Sequence, residues 1–144
     1  MKTLVLICAL FCLARICGAQ TQPALCPRHI EPPFYPGIAQ MAHESGKVIM
    51  EITINADGKV EDARVANKNA ESVKLLTPYS LQNIRSWTFV KPPTAPYIET
   101  ITYDYEETDA SGKVRGPQVI FDLPDLVTIW AGLLNLQTSQ SAKR

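Results

Sequence analysis

Histidine, cysteine and charge of a single sign are all in short supply in this sequence. Two histidines stand among 144 residues, and 14 basic side chains balance 14 acidic ones. Balanced charge without a basic stripe excludes the electrostatic footprint of a nucleic-acid binder. Long apolar runs are missing too. The longest, Leu4 to Ala14, is broken by Arg15 and is too short to span a bilayer. Its setting is that of a secretory leader. Lys2 supplies a positive start, and Cys17-Gly18-Ala19 sets small residues where a signal peptidase reads, so cleavage is expected after Ala19. The alternative is a leader that is retained as an anchor. Three of the four cysteines, Cys8, Cys12 and Cys17, lie in that segment and leave Cys26 as the single remaining thiol. One thiol closes no internal disulfide, so an exported domain of this sequence depends on its core.

What remains after Ala19 is about 125 residues, a length that suits one domain burying roughly two-thirds of its unfolded surface. Its 12 basic and 14 acidic residues give a net charge of about −2. The expected organisation is a leader at 1–19, an extended lead segment at 20–33, a domain at 34–131 and a tail at 132–144. Prolines hold the lead away from helix. Pro36 can open a short helix with Ile38, Met41 and Ala42 on one face and Gly46 as its stop.

From Gly46 to Asn55 the apolar residues Val48, Met50, Ile52 and Ile54 alternate with polar ones, Ile49 excepted, which predicts a half-buried strand. Asp57-Gly58 closes a hairpin, because this pair tolerates the positive φ of a tight turn. The return strand changes parity between Val60 and Ala63, which predicts a bulge near Glu61-Asp62. Asn67 to Leu76 reads as a loop with one helical turn. Thr77-Pro78 reads as a helix cap and first turn, with Leu76 and Leu81 as a staple and Leu81 and Ile84 as the buried stripe. Tyr97, Ile101, Tyr103 and Tyr105 form the aromatic face of another strand, and Asp109 to Gly116 a long turn. Gln118 to Leu123 alternates as a further strand. Leu126 to Leu136 suits a strand through Trp130 followed by a frayed tail, or an amphipathic helix.

No catalytic constellation is complete. His43-Glu44 lacks the second histidine of a zinc-protease helix. Cys26 and His29 have metal-like spacing, yet with His43 they reach only three ligands, and no metal or cofactor is expected. Ser45-Gly46-Lys47 lacks the glycine of a phosphate loop, and no G-x-S-x-G serine occurs. Glu106, Glu107 and Asp109 read as a solvated hairpin end, since acid–base work needs one carboxylate desolvated. Trp87 reads as a core anchor with Arg85 over the nearby surface.

Between Tyr35 and Tyr105 the remaining signals follow a fixed order. Tyr35-Pro36 and Ala39 come first, then Gly46, Val48, Asp57, Gly58 and Val60, then Arg85, Trp87, Phe89 and Pro92. This ordered set resembles the TonB C-terminal domain family over roughly Glu31 to Glu106. The resemblance implies a non-catalytic protein-binding module of the Gram-negative periplasm, one that couples an inner-membrane motor to outer-membrane uptake receptors. It implies contact by β-strand addition, in which a receptor's short N-terminal segment pairs with the domain's last strand. The matching edge here supplies Tyr97, Ile98, Thr100, Thr102 and Asp104 as expected partner-binding residues, with Tyr35 and Pro36 from the flanking stretch.

The expected fold is α+β, an antiparallel sheet of about three to five strands carrying one main helix on one face and a short N-terminal helix. The expected function is an exported, stand-alone binding module for a protein or peptide such as an outer-membrane receptor segment, in TonB-linked transport. A self-associating or envelope-structural domain, dimeric through sheet edges or the Leu126–Leu136 stretch, is the alternative. A strand at Gln118–Leu123 paired with the Tyr97 strand would occupy the binding edge with the protein's own backbone.

Overall fold

The computed structural model describes residues 24–67, 70–108, 111–114 and 116–132. The elements in chain order are β1 (Pro27–His29), α1 (Gly37–Met41), β2 (Gly46–Ile54), β3 (Val60–Val65), a 3₁₀ turn at Ala70–Val73, α2 (Thr77–Ile84), β4 (Thr88–Phe89), β5 (Tyr97–Glu106), β6 (Gln118–Asp122) and β7 (Leu126–Trp130). The expected leader and the tail beyond Gly132 lie outside the described residues, as does part of the Asp109–Gly116 turn. No helix among the described residues is long and apolar enough to cross a membrane.

The period-2 pattern of β2 and β5 builds the centre of the sheet. Val48, Met50, Ile52 and Ile54 are buried, and so are Tyr97, Ile101, Tyr103 and Tyr105 of the antiparallel neighbour. β2 and β3 form the expected hairpin. Thr53 pairs with Asp62 but Ile54 with Val60, so Glu61 is the extra residue of the bulge. The strand order is β3-β2-β5-β7-β6, and α2 lies over one face, burying Ser80 and Ile84. This is the expected α+β class, with one parallel pairing, β5 with β7, in an otherwise antiparallel sheet.

The parallel pairing has a physical cause. β7 carries Leu, Val, Ile and Trp on both faces, whereas β6 ends in Gln118 and Asp122. The more apolar strand takes the interior position and the mixed one the rim. It is therefore β7, not the Gln118 strand, that lies beside β5.

Three local expectations are corrected. The buried residue of α1 is Ala39, while Ile38 and Met41 are 49% and 64% exposed, because a five-residue helix can rest only one small side chain on the sheet. α1 ends at Met41, and the chain turns out of it at His43, which takes a φ of +53°; Gly46, at +133°, opens β2 instead. Thr77 does not cap α2. Its hydroxyl donates to the Val73 carbonyl at 2.9 Å. The N–H groups of Leu75 and Leu76, just before α2, donate to Glu44 Oε1 at 2.7 and 3.2 Å, which ties the entry of α2 to the loop after α1.

The lead segment is extended as expected from Ala24 onward, and it is also packed. Leu25 is buried, β1 pairs with β4, and the Val90 N–H donates to the Cys26 carbonyl at 3.0 Å. The Glu31 carbonyl accepts from Asn83 Nδ2 at 3.0 Å and Trp87 Nε1 at 3.1 Å. Proline spacing shows that such a segment is extended, but not what it pairs with.

Candidate functional site

A strand's backbone groups point alternately to its two sides, and that alternation decides which residues of β5 face outward. The Thr102 N–H donates to the Asp125 carbonyl at 2.7 Å, and the Glu106 carbonyl accepts from the Ala131 N–H at 2.9 Å. The even-numbered residues of β5 therefore face away from β2. Thr102, Asp104 and Glu106 meet β7, which pairs only from Thr102 to Glu106. Ile98 and Thr100 point the same way, beyond the start of β7. Ile98 is 56% exposed. The result is a step in the sheet, where β5 runs on for several residues after its neighbour has turned away at Leu123–Asp125.

The structure thus divides the expected binding residues into groups. Ile98 and Thr100 stand on the open step. Thr102 and Asp104 give their outward ladder groups to β7, and Asp104 also meets Lys47 Nζ at 3.3 Å. Tyr97 is buried on the helix-bearing face. Tyr35 and Pro36 lie at the opposite end of the sheet. The Tyr35 hydroxyl donates to the Glu44 carbonyl at 2.7 Å, its ring meets Tyr105 edge-on at 5.4 Å, and Pro36 is buried.

Two acidic groups border the step. Glu99 Oε2 accepts from the Leu25 N–H at 3.0 Å. Burial raises its carboxyl above the usual range, the Leu25 hydrogen bond opposes this, and the Asp125 charge adds to it. Behind the step, burial pushes the Tyr105 phenol up to about 12 and the Tyr103 phenol higher still. Tyr35 is raised by burial first and then by Glu107 and Glu44. Each has a structural partner. Tyr103 donates to Asn83 Oδ1 at 2.6 Å, and Tyr105 lies 2.9 Å from the Ser80 hydroxyl, which itself donates to the Leu76 carbonyl.

The other sequence candidates do not assemble. Among the described residues no three of His, Cys, Asp and Glu come together as a metal site. His43 Nδ1 reaches Glu107 Oε2 at 3.2 Å on the surface, well away in sequence from the exposed Cys26. Trp87 is buried, and Arg85 donates to the Ala63 carbonyl at 3.3 Å on the outer side of β3.

The sequence profile described as Gram-negative bacterial TonB protein C-terminal matches residues 31–106, more than half of the chain. The chain belongs to this family. The match bears out the resemblance carried by Tyr35-Pro36, Asp57-Gly58 and the Arg85–Pro92 stretch. TonB C-terminal domains are non-enzymatic protein-interaction domains of the cell envelope, generally involved in transport. A solution NMR structure of the Pseudomonas aeruginosa TonB C-terminal domain is similar at 20% identity and a TM-score of 0.40, over 59% of this chain and 88% of that one. No curated protein matches the chain.

The TonB C-terminal match begins at Glu31, the residue whose carbonyl Asn83 and Trp87 hold, and ends at Glu106, the last residue of β5. The β6–β7 hairpin that covers half of β5 therefore lies beyond the matched stretch. Sequence reasoning missed Glu44 and Asn67 as organising residues. Asn67 Oδ1 accepts from the Ile49 N–H and its amide donates to the Lys47 carbonyl, both at 2.5 Å, which completes the ladder of β2 past the end of β3. Neither residue carries a local signal, because each serves an element distant in sequence.

Proposed function

We propose that the chain is a non-catalytic protein-binding module of the Gram-negative periplasm, which takes an extended segment of a protein partner, such as an outer-membrane receptor, in TonB-linked transport. The partner adds as a short strand to the open step of β5, in line with β7. The observation that carries this reading is the outward ladder of Ile98 and Thr100 beyond the last β7 pairing. Such an edge offers N–H and C=O groups to any extended backbone. Thr102 and Asp104 set the end of the site, and Tyr35 and Pro36 brace the far end of β5 around Tyr105. The chain reaches this compartment through its N-terminal leader.

The test is a titration of labelled protein with a synthetic peptide from the N-terminal segment of an outer-membrane receptor. Backbone amide signals of Ile98 and Thr100 are expected to move. Ile98→Pro removes one outward N–H without touching a bond to β2, so the fold should stay and the shifts should vanish. Absence of any shift at saturating peptide overturns the reading.

A further inference from the structure

The two rims of the five-stranded sheet are finished differently. On β3 the outward carbonyl of Ala63 accepts from Arg85, and the Glu61 bulge twists the strand, two devices that blunt an edge. Among the described residues β6 has neither a bulge nor a side-chain bond to its outward ladder, and its flanking prolines leave the residues between them open. No described strand pairs with its outer side, and Ile120, Phe121 and Leu123 are all exposed.

Ladder parity identifies the groups on that rim. Odd residues of β7 face β5, so Leu126, Thr128 and Trp130 face β6 and meet Asp122, Ile120 and Gln118. Val119 and Phe121 therefore send their N–H and C=O groups outward. Pro117 and Pro124 bracket the strand, and the missing Pro117 N–H limits pairing to the residues between them.

Those residues complement themselves. Two copies meeting antiparallel about a two-fold axis at Ile120 use all five positions. Val119 then faces Phe121, both on the helix-bearing face and both outward-directed, which is the hydrogen-bonded kind of antiparallel pair. Ile120 faces its own copy on the open face. Gln118 faces Asp122, so the one charge of β6 meets an amide rather than its own kind. A register centred on Phe121 sets Asp122 against Ile120, and one centred on Val119 leaves Asp122 beyond the pairing.

We infer that this chain pairs with a second copy of itself through β6, joining two five-stranded sheets into one of ten strands. The bonds run from Val119 N–H to Phe121 C=O and from Phe121 N–H to Val119 C=O, each made twice. The surface is separate from Ile98 and Thr100, so this inference and the peptide reading stand or fall independently.

Sedimentation equilibrium of the protein expressed from its full sequence, combined with amide hydrogen exchange over a concentration series, tests it. The expected result is a mass that rises toward two chains, with exchange at Val119 and Phe121 slowing as it does. Exchange at Ile120, whose N–H already faces β7, should hold steady. Ile120→Lys puts like charges directly opposite and should weaken association roughly tenfold or more. Ile38→Lys, at an exposed site on α1, should leave it unchanged. A one-chain mass at every concentration overturns the inference, as does a dimer indifferent to Ile120→Lys or one that slows exchange elsewhere but not at Val119 and Phe121.

Discussion

Gly58 is the residue at which conformation and contact coincide. Its φ is +81°, and a Cβ built there would stand 2.2 Å from the Phe89 carbonyl oxygen. That carbonyl cannot retreat, because the Phe89 N–H donates to the Gly58 carbonyl at 2.7 Å and β4 is tied to β1. Gly58→Ala is therefore expected to cost at least about 2 kcal/mol, combining left-handed strain with displacement of β4. Urea unfolding would measure it, and a midpoint close to wild type would contradict this account. Glu44 is the second such residue. Glu44→Ala strips the acceptor from the Leu75 N–H and leaves the Leu76 N–H to the Val73 carbonyl at 3.2 Å, a loss of about 1 kcal/mol for the half-buried hydrogen bond. The midpoint should fall while the denaturant slope stays constant. Gly58 was legible in the sequence, because Asp-Gly between alternating strands has one common use. Glu44 was not, since its partners lie thirty residues onward and no spacing rule links them.

Among the elements, β5 holds the groups whose protonation the fold controls. Tyr103 and Tyr105 lie on its buried face and Tyr35 packs against Tyr105, and all three phenols are raised above their ordinary value, chiefly by burial. The sign follows from comparing the two states. Below about pH 10 the folded and unfolded chains both keep these protons, and stability does not depend on them. Above it the unfolded chain releases them and the folded chain does not, so stability falls as pH rises, for Tyr105 through about 12. The urea midpoint should show no tyrosine-linked change between neutral pH and about 10 and decline steeply beyond it, and Tyr105→Phe should make that decline shallower by one proton. An unchanged slope in the variant would mean that Tyr105 ionises freely in the fold. Elements with strict alternation, β2 and β5, were readable because period 2 assigns each side chain a face. α1 was not readable beyond its presence. At five residues its face is set by what fits under it, and Ala39 fits where Ile38 and Met41 do not.

The order of strands in the whole molecule was the part least open to reading, because pairing order is a competition between distant segments. The sequence shows two further strands after β5, but only their relative apolar content decides that β7 goes inside and β6 to the rim. Among the described residues that choice leaves backbone exposed at Ile98–Thr100 and, separately, at Val119–Phe121. Two arrangements would let a partner strand bind. In one it takes only the open step and the β6–β7 hairpin stays. In the other it displaces the hairpin and claims all of β5, which would pull Val127 and Ile129 out of the core, a loss of about 3 kcal/mol or more of apolar burial. The first demands no such loss, and in it the two stretches act independently across the roughly 10 Å of two strand spacings. Receptor-peptide affinity in Ile120→Lys should then lie within about twofold of wild type, and self-association of Ile98→Pro should match that of the parent chain. A coupling of about tenfold or more between the two would show that peptide binding moves the hairpin and that β7 is a displaceable cover.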